Sequence, residues 1–224
     1  MRYNIIGQTV PAVECELIRG ESMYTQSGGM IWQTSGINMS TNARGGIAKS
    51  LGRIFTGESI FMANYTAETD GAIVAFGSTV PGSVVPVDVS QGDIIAQKGA
   101  FLCAEQSVDL QVAFTKKITA GLFGGEGFIL QRIYGKGMVF LEVDGDMVTR
   151  TLAPGEVLKV DTGNVVAFET SVKYDIETVK GLGNIFFGGE GLFLTKLTGP
   201  GKIILQTQNF NDFAGRIISR IPKS

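Results

Sequence analysis

The chain of 224 residues has no histidine and only two cysteines, Cys15 and Cys103. Without an imidazole, Ser-His-Asp and Cys-His nucleophilic sites are excluded, and so is histidine-ligated zinc, copper or iron. Two thiols cannot furnish a four-thiolate metal site within one chain. Cys103 stands in the apolar run Phe101-Leu102-Cys103, which suits a buried, inert thiol in a reducing compartment. No span approaches the roughly 18 consecutive apolar residues that cross a bilayer. The opening Met1-Arg2-Tyr3-Asn4-Ile5-Ile6-Gly7-Gln8 lacks the apolar core and small-residue cleavage site of a secretory signal, so a soluble cytoplasmic protein is expected. Neither sign of charge dominates: 19 Lys and Arg face 21 Asp and Glu, for a net charge of −2. That balance gives no global attraction for nucleic acid or anionic lipid, though it leaves room for a local patch.

What the chain has in quantity is glycine, 31 residues, between short runs rich in Val, Ile and Phe. This is the pattern of many short strands joined by tight turns. One phrase is written twice, Phe123-Gly124-Gly125-Glu126-Gly127 and Phe187-Gly188-Gly189-Glu190-Gly191, with a fainter copy at Phe55-Thr56-Gly57-Glu58-Ser59. Each is followed by an apolar triplet, Phe128-Ile129-Leu130, Leu192-Phe193-Leu194 and Ile60-Phe61-Met62. Upstream, Gly20-Glu21, Gly92-Asp93 and Gly155-Glu156 each open a strand-like run, and Met30-Ile31-Trp32, Phe101-Leu102-Cys103 and Val165-Val166-Ala167-Phe168 follow. Self-similarity of this kind predicts an all-β chain forming one compact unit, with three tandem repeats over 12–80, 84–147 and 148–208 and a tail over 209–224. Asp144-Gly145-Asp146 reads as a hairpin turn between Met138–Val143 and Met147–Leu152. Helical spacing occurs with conviction once, in Phe210-Asn211-Asp212-Phe213-Ala214-Gly215-Arg216-Ile217-Ile218, where Phe210, Phe213 and Ile217 share a face ahead of Pro222.

The candidate ligand-binding residues are few. Glu58, Glu126 and Glu190 occupy matching places in the three phrases, where a pseudo-threefold arrangement would offer a cation site or a cluster of raised-pKa acids. The competing reading has each glutamate accepting backbone N–H bonds at a strand entry, and mutual repulsion disfavours three acids converging without an ion. Arg44, within Ser40-Thr41-Asn42-Ala43-Arg44-Gly45-Gly46, would hold an anion with the glycine amides, or else belongs to a solvated loop. Gly124-Gly125-Glu126-Gly127 is not a phosphate loop, because no Gly-Lys-Ser/Thr and no helix start follow it. No catalytic residue, metal ligand set or cofactor is assigned.

The series Gly20-Glu21-Ser22-Met23-Tyr24 with Gly28-Gly29-Met30, Thr56-Gly57-Glu58-Ser59-Ile60-Phe61, Pro81-Gly82, Gly135-Lys136-Gly137 and Gly199-Pro200-Gly201 resembles the mitochondrial biogenesis AIM family, from about Val13 to Gln206. The resemblance implies three units similar to the tryptophan RNA-binding attenuation protein, each a short double-stranded β-helix or small β-sandwich. It also implies no established catalytic residues and, in mitochondrial relatives, a part in keeping an inner-membrane assembly intact. With no transit peptide in view, that last role is not carried over literally. The fold analogy invites RNA, but Lys116-Lys117, Lys136 and Lys196 lack the repeated basic and aromatic pairing of a base-stacking platform, so nucleic acid is not an expected partner. The expectation is a non-enzymatic scaffold or binding module that supports a membrane-associated assembly. A small-molecule or metal-binding β-barrel with carboxylate chemistry is the alternative, and an RNA-binding ring a more distant one. Edge pairing between subunits predicts a homo-oligomer, preferably a trimer. The tail, with Arg216, Arg220 and Lys223 among Phe213, Ile217, Ile218 and Ile221, is expected to cover its own β-core or a neighbouring subunit, with a protein partner or membrane surface as the alternative.

Overall fold

The computed structural model describes residues 1–26, 28–42, 62–116, 128–179 and 192–221. They are mostly β-strand, with one short α-helix near the C-terminus, as the sequence predicts, and three short 3-10 turns. After β1 (Arg2–Ile6) come β2 (Ala12–Leu17), β3 (Ser22–Gln26), β4 (Met30–Gln33), β5 (Ile37–Asn42), β6 (Met62–Ala67) and β7 (Ala72–Gly77). The next six are β8 (Gly82–Asp88), β9 (Ile94–Gln97), β10 (Phe101–Glu105), β11 (Val108–Lys116), β12 (Phe128–Gly135) and β13 (Met138–Asp144). The last six are β14 (Met147–Leu152), β15 (Val157–Asp161), β16 (Val165–Glu169), β17 (Lys173–Val179), β18 (Leu192–Thr198) and β19 (Gly201–Gln206), and the helix α1 (Phe210–Ile218) follows.

The chain divides into two compact units. The first takes Met1–Asp88, Phe101–Val108 and Lys136–Glu142, and its sheets run β1-β2-β7-β4 and β5-β6-β3-β10-β13-β8. Strand β2 shows why the layers form. Val13, Cys15 and Leu17 alternate with Glu14 and Glu16, so one side of the strand is wholly buried and the other reaches solvent. Val74 and Phe76 of β7 join that side, and Met23, Tyr65, Leu102, Cys103 and Phe140 of the second sheet complete the core. Each such Leu, Met or Phe contributes about 1.5–3 kcal/mol by leaving water. Both cysteines lie in this core, where burial and the Cys15 neighbour push the Cys103 thiol well up and keep it inert.

The second unit takes Val89–Ala100, Asp109–Gly135 and Val143–Ser224, with sheets β11-β12-β9-β16-β19-β14 and β15-β18-β17. Ile95, Phe128, Leu130, Phe168 and Ile203 of the larger sheet meet Ile176 and Leu197 of the smaller one. Tyr174 lies 5.3 Å from the Phe168 ring. The sheets stay open, so the β-barrel alternative is not the architecture found among the described residues.

Two features recur. Strands β4, β10 and β16 each slip register against the neighbouring strand, between Met30 and Trp32, Phe101 and Cys103, and Val165 and Ala167, as a β-bulge does. Each six-stranded sheet also contains one antiparallel joint in its middle. β3 meets β10 with Thr25 opposite Cys103 and Tyr24 opposite Ala104, and β9 meets β16 with Ala96 opposite Ala167 and Ile95 opposite Phe168. The hairpin expected at Asp144-Gly145 is corrected. Gly145 has the positive φ of +70° that such a turn needs, but β13 belongs to the second sheet and β14 pairs with β19 in the third. The turn is held instead by the chain beyond β19, through Gln208 N–H to Asp144 O at 3.2 Å and Thr207 N–H to Asp146 O at 3.1 Å.

Candidate functional site

Glu58, Glu126, Glu190 and Arg44 lie outside the described residues, as do the Gly-Glu phrases that carry them. Among the described residues no three His, Cys, Asp or Glu side chains come together as a metal site would require. The structure assembles something else, a helix with a fixed root and an uncovered apolar face.

The root is built from three stretches distant in sequence. Asn209 caps α1, its side-chain oxygen accepting from Asn211 N–H at 3.0 Å, and Phe210 N–H donates to Asp144 Oδ2 at 2.8 Å. Gln206 Nε2 donates to Gly163 O and Asn164 Nδ2 donates to Gln206 O, both at 2.8 Å. Asp146 N–H donates to Thr207 Oγ1 at 2.9 Å. Gly163 is required by close approach: a Cβ there would sit 1.8 Å from Asn209 Nδ2.

Beyond this root no residue of α1 is buried. At about 100° per residue, Phe213, Ile217, Phe210, Ala214 and Ile218 fall within an arc of roughly 140°, and Arg216 borders it. Phe210, Phe213, Ile217 and Ile218 are 44–66% exposed, and Ile221 just beyond is 59% exposed. The expectation that this tail covers its own β-core is therefore corrected for the described residues. Asp212, half-buried in the first turn, has its carboxyl pushed up by that partial burial and by Asp161, with Arg216 acting in the opposite sense.

A second set of uncovered groups lies on strand edges. Among the described residues β4 ends the first sheet and β15 ends the fourth. Their outward residues Ile31, Trp32 and Val157 are 42–47% exposed, whereas Cys103, Ala104, Ala96 and Ala167 at the joints are 0–1% exposed. Trp32 Nε1 donates to Glu14 Oε1 at 3.1 Å and Lys159 Nζ to Glu177 Oε2 at 2.6 Å, both along the sheet surface.

Sequence reasoning placed the helix and its apolar face correctly and missed its root. The available signal was Asn209, a preferred capping residue directly before the periodic run.

The sequence matches the model of a family described as Mitochondrial biogenesis AIM24 across residues 3–208. The chain belongs to that family. An uncharacterized protein of Streptococcus pyogenes serotype M6 is 30% identical to this AIM24-family chain over 233 residues, covering 100% of the chain and 92% of the relative. A crystal structure of a Streptococcus pyogenes protein from a structural genomics consortium matches it with a TM-score of 0.78 at 26% identity, over 98% of this chain and 99% of the other. The family resemblance carried by the glycine motifs and the all-β architecture both hold. No helix among the described residues is long and apolar enough to cross a membrane.

Proposed function

We propose that this AIM24-family protein is a non-enzymatic scaffold, built from three tandem β-units over 12–80, 84–147 and 148–208, that attaches to an anionic lipid surface through α1. The recurring strand order supports the three-unit reading. The observation that carries the attachment is α1 itself, rooted by Asn209, Asp144 and Gly163 while Phe210, Phe213, Ile217 and Ile218 face outward. Interfacial helices have this division, with aromatic and aliphatic residues on one side and cations beside them. Full burial of each Phe or Ile would contribute about 1.5–3 kcal/mol. Arg216 and Arg220 would each add about 1 kcal/mol at an anionic surface. A protein groove would be served by the same apolar arc; the flanking arginines favour lipid.

The test is co-sedimentation with phosphatidylglycerol-containing vesicles and with neutral phosphatidylcholine vesicles. The intact protein is expected to pellet with the anionic vesicles, and deletion of residues 210–224 or the double change Phe213→Ala with Ile217→Ala is expected to abolish this with the fold unchanged. Wild-type protein that stays in the supernatant, or a deletion that binds as well as the full chain, would overturn the proposal.

A further inference from the structure

We propose that β4 of one molecule pairs with β15 of a second copy, so that the protein assembles head to tail through a joint of the kind it already contains twice. In the second sheet β5-β6-β3 is joined to β10-β13-β8, and in the third β11-β12-β9 is joined to β16-β19-β14. The fourth sheet, β17-β18-β15, is a first half ending at the joint position. The first sheet, β4-β7-β2 with β1 added outside, is a second half beginning there. The two half-sheets are the complementary sides of one missing joint, and their open edges carry the exposed Ile31, Trp32 and Val157. An apolar strand edge left unpaired is a template for another strand.

The register follows from the joints already formed. The residue after the bulge, Cys103 or Ala167, faces Thr25 or Ala96, and each of those precedes the glutamine opposite Met62 or Leu130. On β15 the same place is Val160, which precedes Asp161 opposite Leu194. Trp32 therefore meets Val160 and Gln33 meets Lys159. An independent feature agrees. At the β3–β10 joint, Gln106 N–H donates to Ser22 O at 3.1 Å, and the alternation of an antiparallel ladder makes Ala104 and Tyr24 a hydrogen-bonded pair. Gln33 and Lys159 stand in those places, so both must turn their amides outward. Thr34 N–H donates to Ile73 O at 2.9 Å, which leaves the Gln33 amide pointing away from β7. Gly199 N–H donates to Glu156 O at 2.9 Å, which leaves the Lys159 amide pointing away from β18.

The interface is heterologous, so the assembly either closes into a ring or grows as a filament. A closed ring leaves no β4 or β15 edge open, and three subunits is the expected size. The inference does not depend on lipid attachment, because the edge variants below leave α1 unchanged.

The experiment is native mass spectrometry with analytical ultracentrifugation of the full chain, from nanomolar to high micromolar. Proline on an outward-facing amide removes a donor from the joint without touching the sheet behind it. Wild-type protein is expected to form a defined oligomer, whereas Gln33→Pro and Lys159→Pro are each expected to be monomeric. Mixed together, the two variants are expected to give a one-to-one dimer, because one retains a working β15 and the other a working β4. Monomeric wild type, proline variants that keep the wild-type mass, or a mixture that stays monomeric would overturn the proposal. If either proline variant fails to fold, Gln33→Lys replaces it. Set opposite Lys159, it is expected to weaken assembly about fivefold, while Gln33→Glu strengthens it; equal affinity of the two would refute the register.

Discussion

Strands β16 and β4 have the same construction, each with a bulge near its start and a strand of its own sheet on one side, yet Ala167 is 1% exposed and Trp32 is 42% exposed. Composition does not explain the difference, since Met30-Ile31-Trp32 is as apolar as Val165-Val166-Ala167. What differs is the other edge: β16 has β9 beside it, and β4 ends its sheet. The C-terminal segment repeats the contrast within a few residues, for Asn209 is buried against Gly163 while Phe213, one helical turn on, is open to solvent. In both places apolar surface stays exposed where the described residues supply no neighbouring strand or core side chain to cover it.

The sharpest way to break this comparison is to place one charge at both strands. Ala167→Lys would bury an unpaired ammonium between β9 and β19, at a penalty of several kcal/mol, and is expected to unfold the second unit or nearly so. Trp32→Lys is expected to cost about 1 kcal/mol at most, chiefly from lost partial packing. Urea unfolding measures both. Similar losses at the two positions, measured at a concentration where the protein is monomeric, would mean that β4 is already covered within one molecule.

Next in size is Gly163→Ala, which tests the root against the face. The new methyl would collide with Asn209, and overpacking of this kind costs about 1–3 kcal/mol. The expected result is a lower melting temperature together with weaker vesicle binding, because the helix loses its orientation. Phe213→Ala is expected to leave the melting temperature almost unchanged and to weaken vesicle binding alone. A Gly163→Ala protein of wild-type stability would show that Asn209 has room to move and that the root is looser than its geometry implies.

These contrasts also mark how far the sequence could be read. Strand positions were legible because turn glycines and apolar runs are local signals: Gly155 before β15, Val165–Phe168 for β16, and the Phe210, Phe213 and Ile217 spacing for α1. Partnership was not legible in the same way. Gly145 announces a turn but carries no information on which strand lies beside the next one, so the expected hairpin became a change of sheet. The root was hidden for the same reason, since Asp144, Gly163 and Asn209 meet only after the sheets have formed. The glutamate phrases at Glu58, Glu126 and Glu190 lie outside the described residues and supply none of the geometry above.

The smallest expected effect lies at the boundary between root and face, at Asp212. Its carboxyl is raised above the ordinary 3.8 by burial and by Asp161, so the folded chain holds the proton more tightly than the unfolded chain does. The stability this contributes is complete below 3.8 and is lost as the pH rises through the raised value. At neutral pH the charged form is therefore a small liability, opposed by its favourable place in the first turn of a helix. Asp212→Asn is expected to raise the melting temperature slightly at pH 7, with the gap closing as the pH approaches 3.8. It should also tighten binding to anionic vesicles at pH 7, since a negative charge leaves the segment that meets them. A melting temperature that falls on substitution would show that the helix dipole outweighs burial at this position, and that the root extends one turn further into α1.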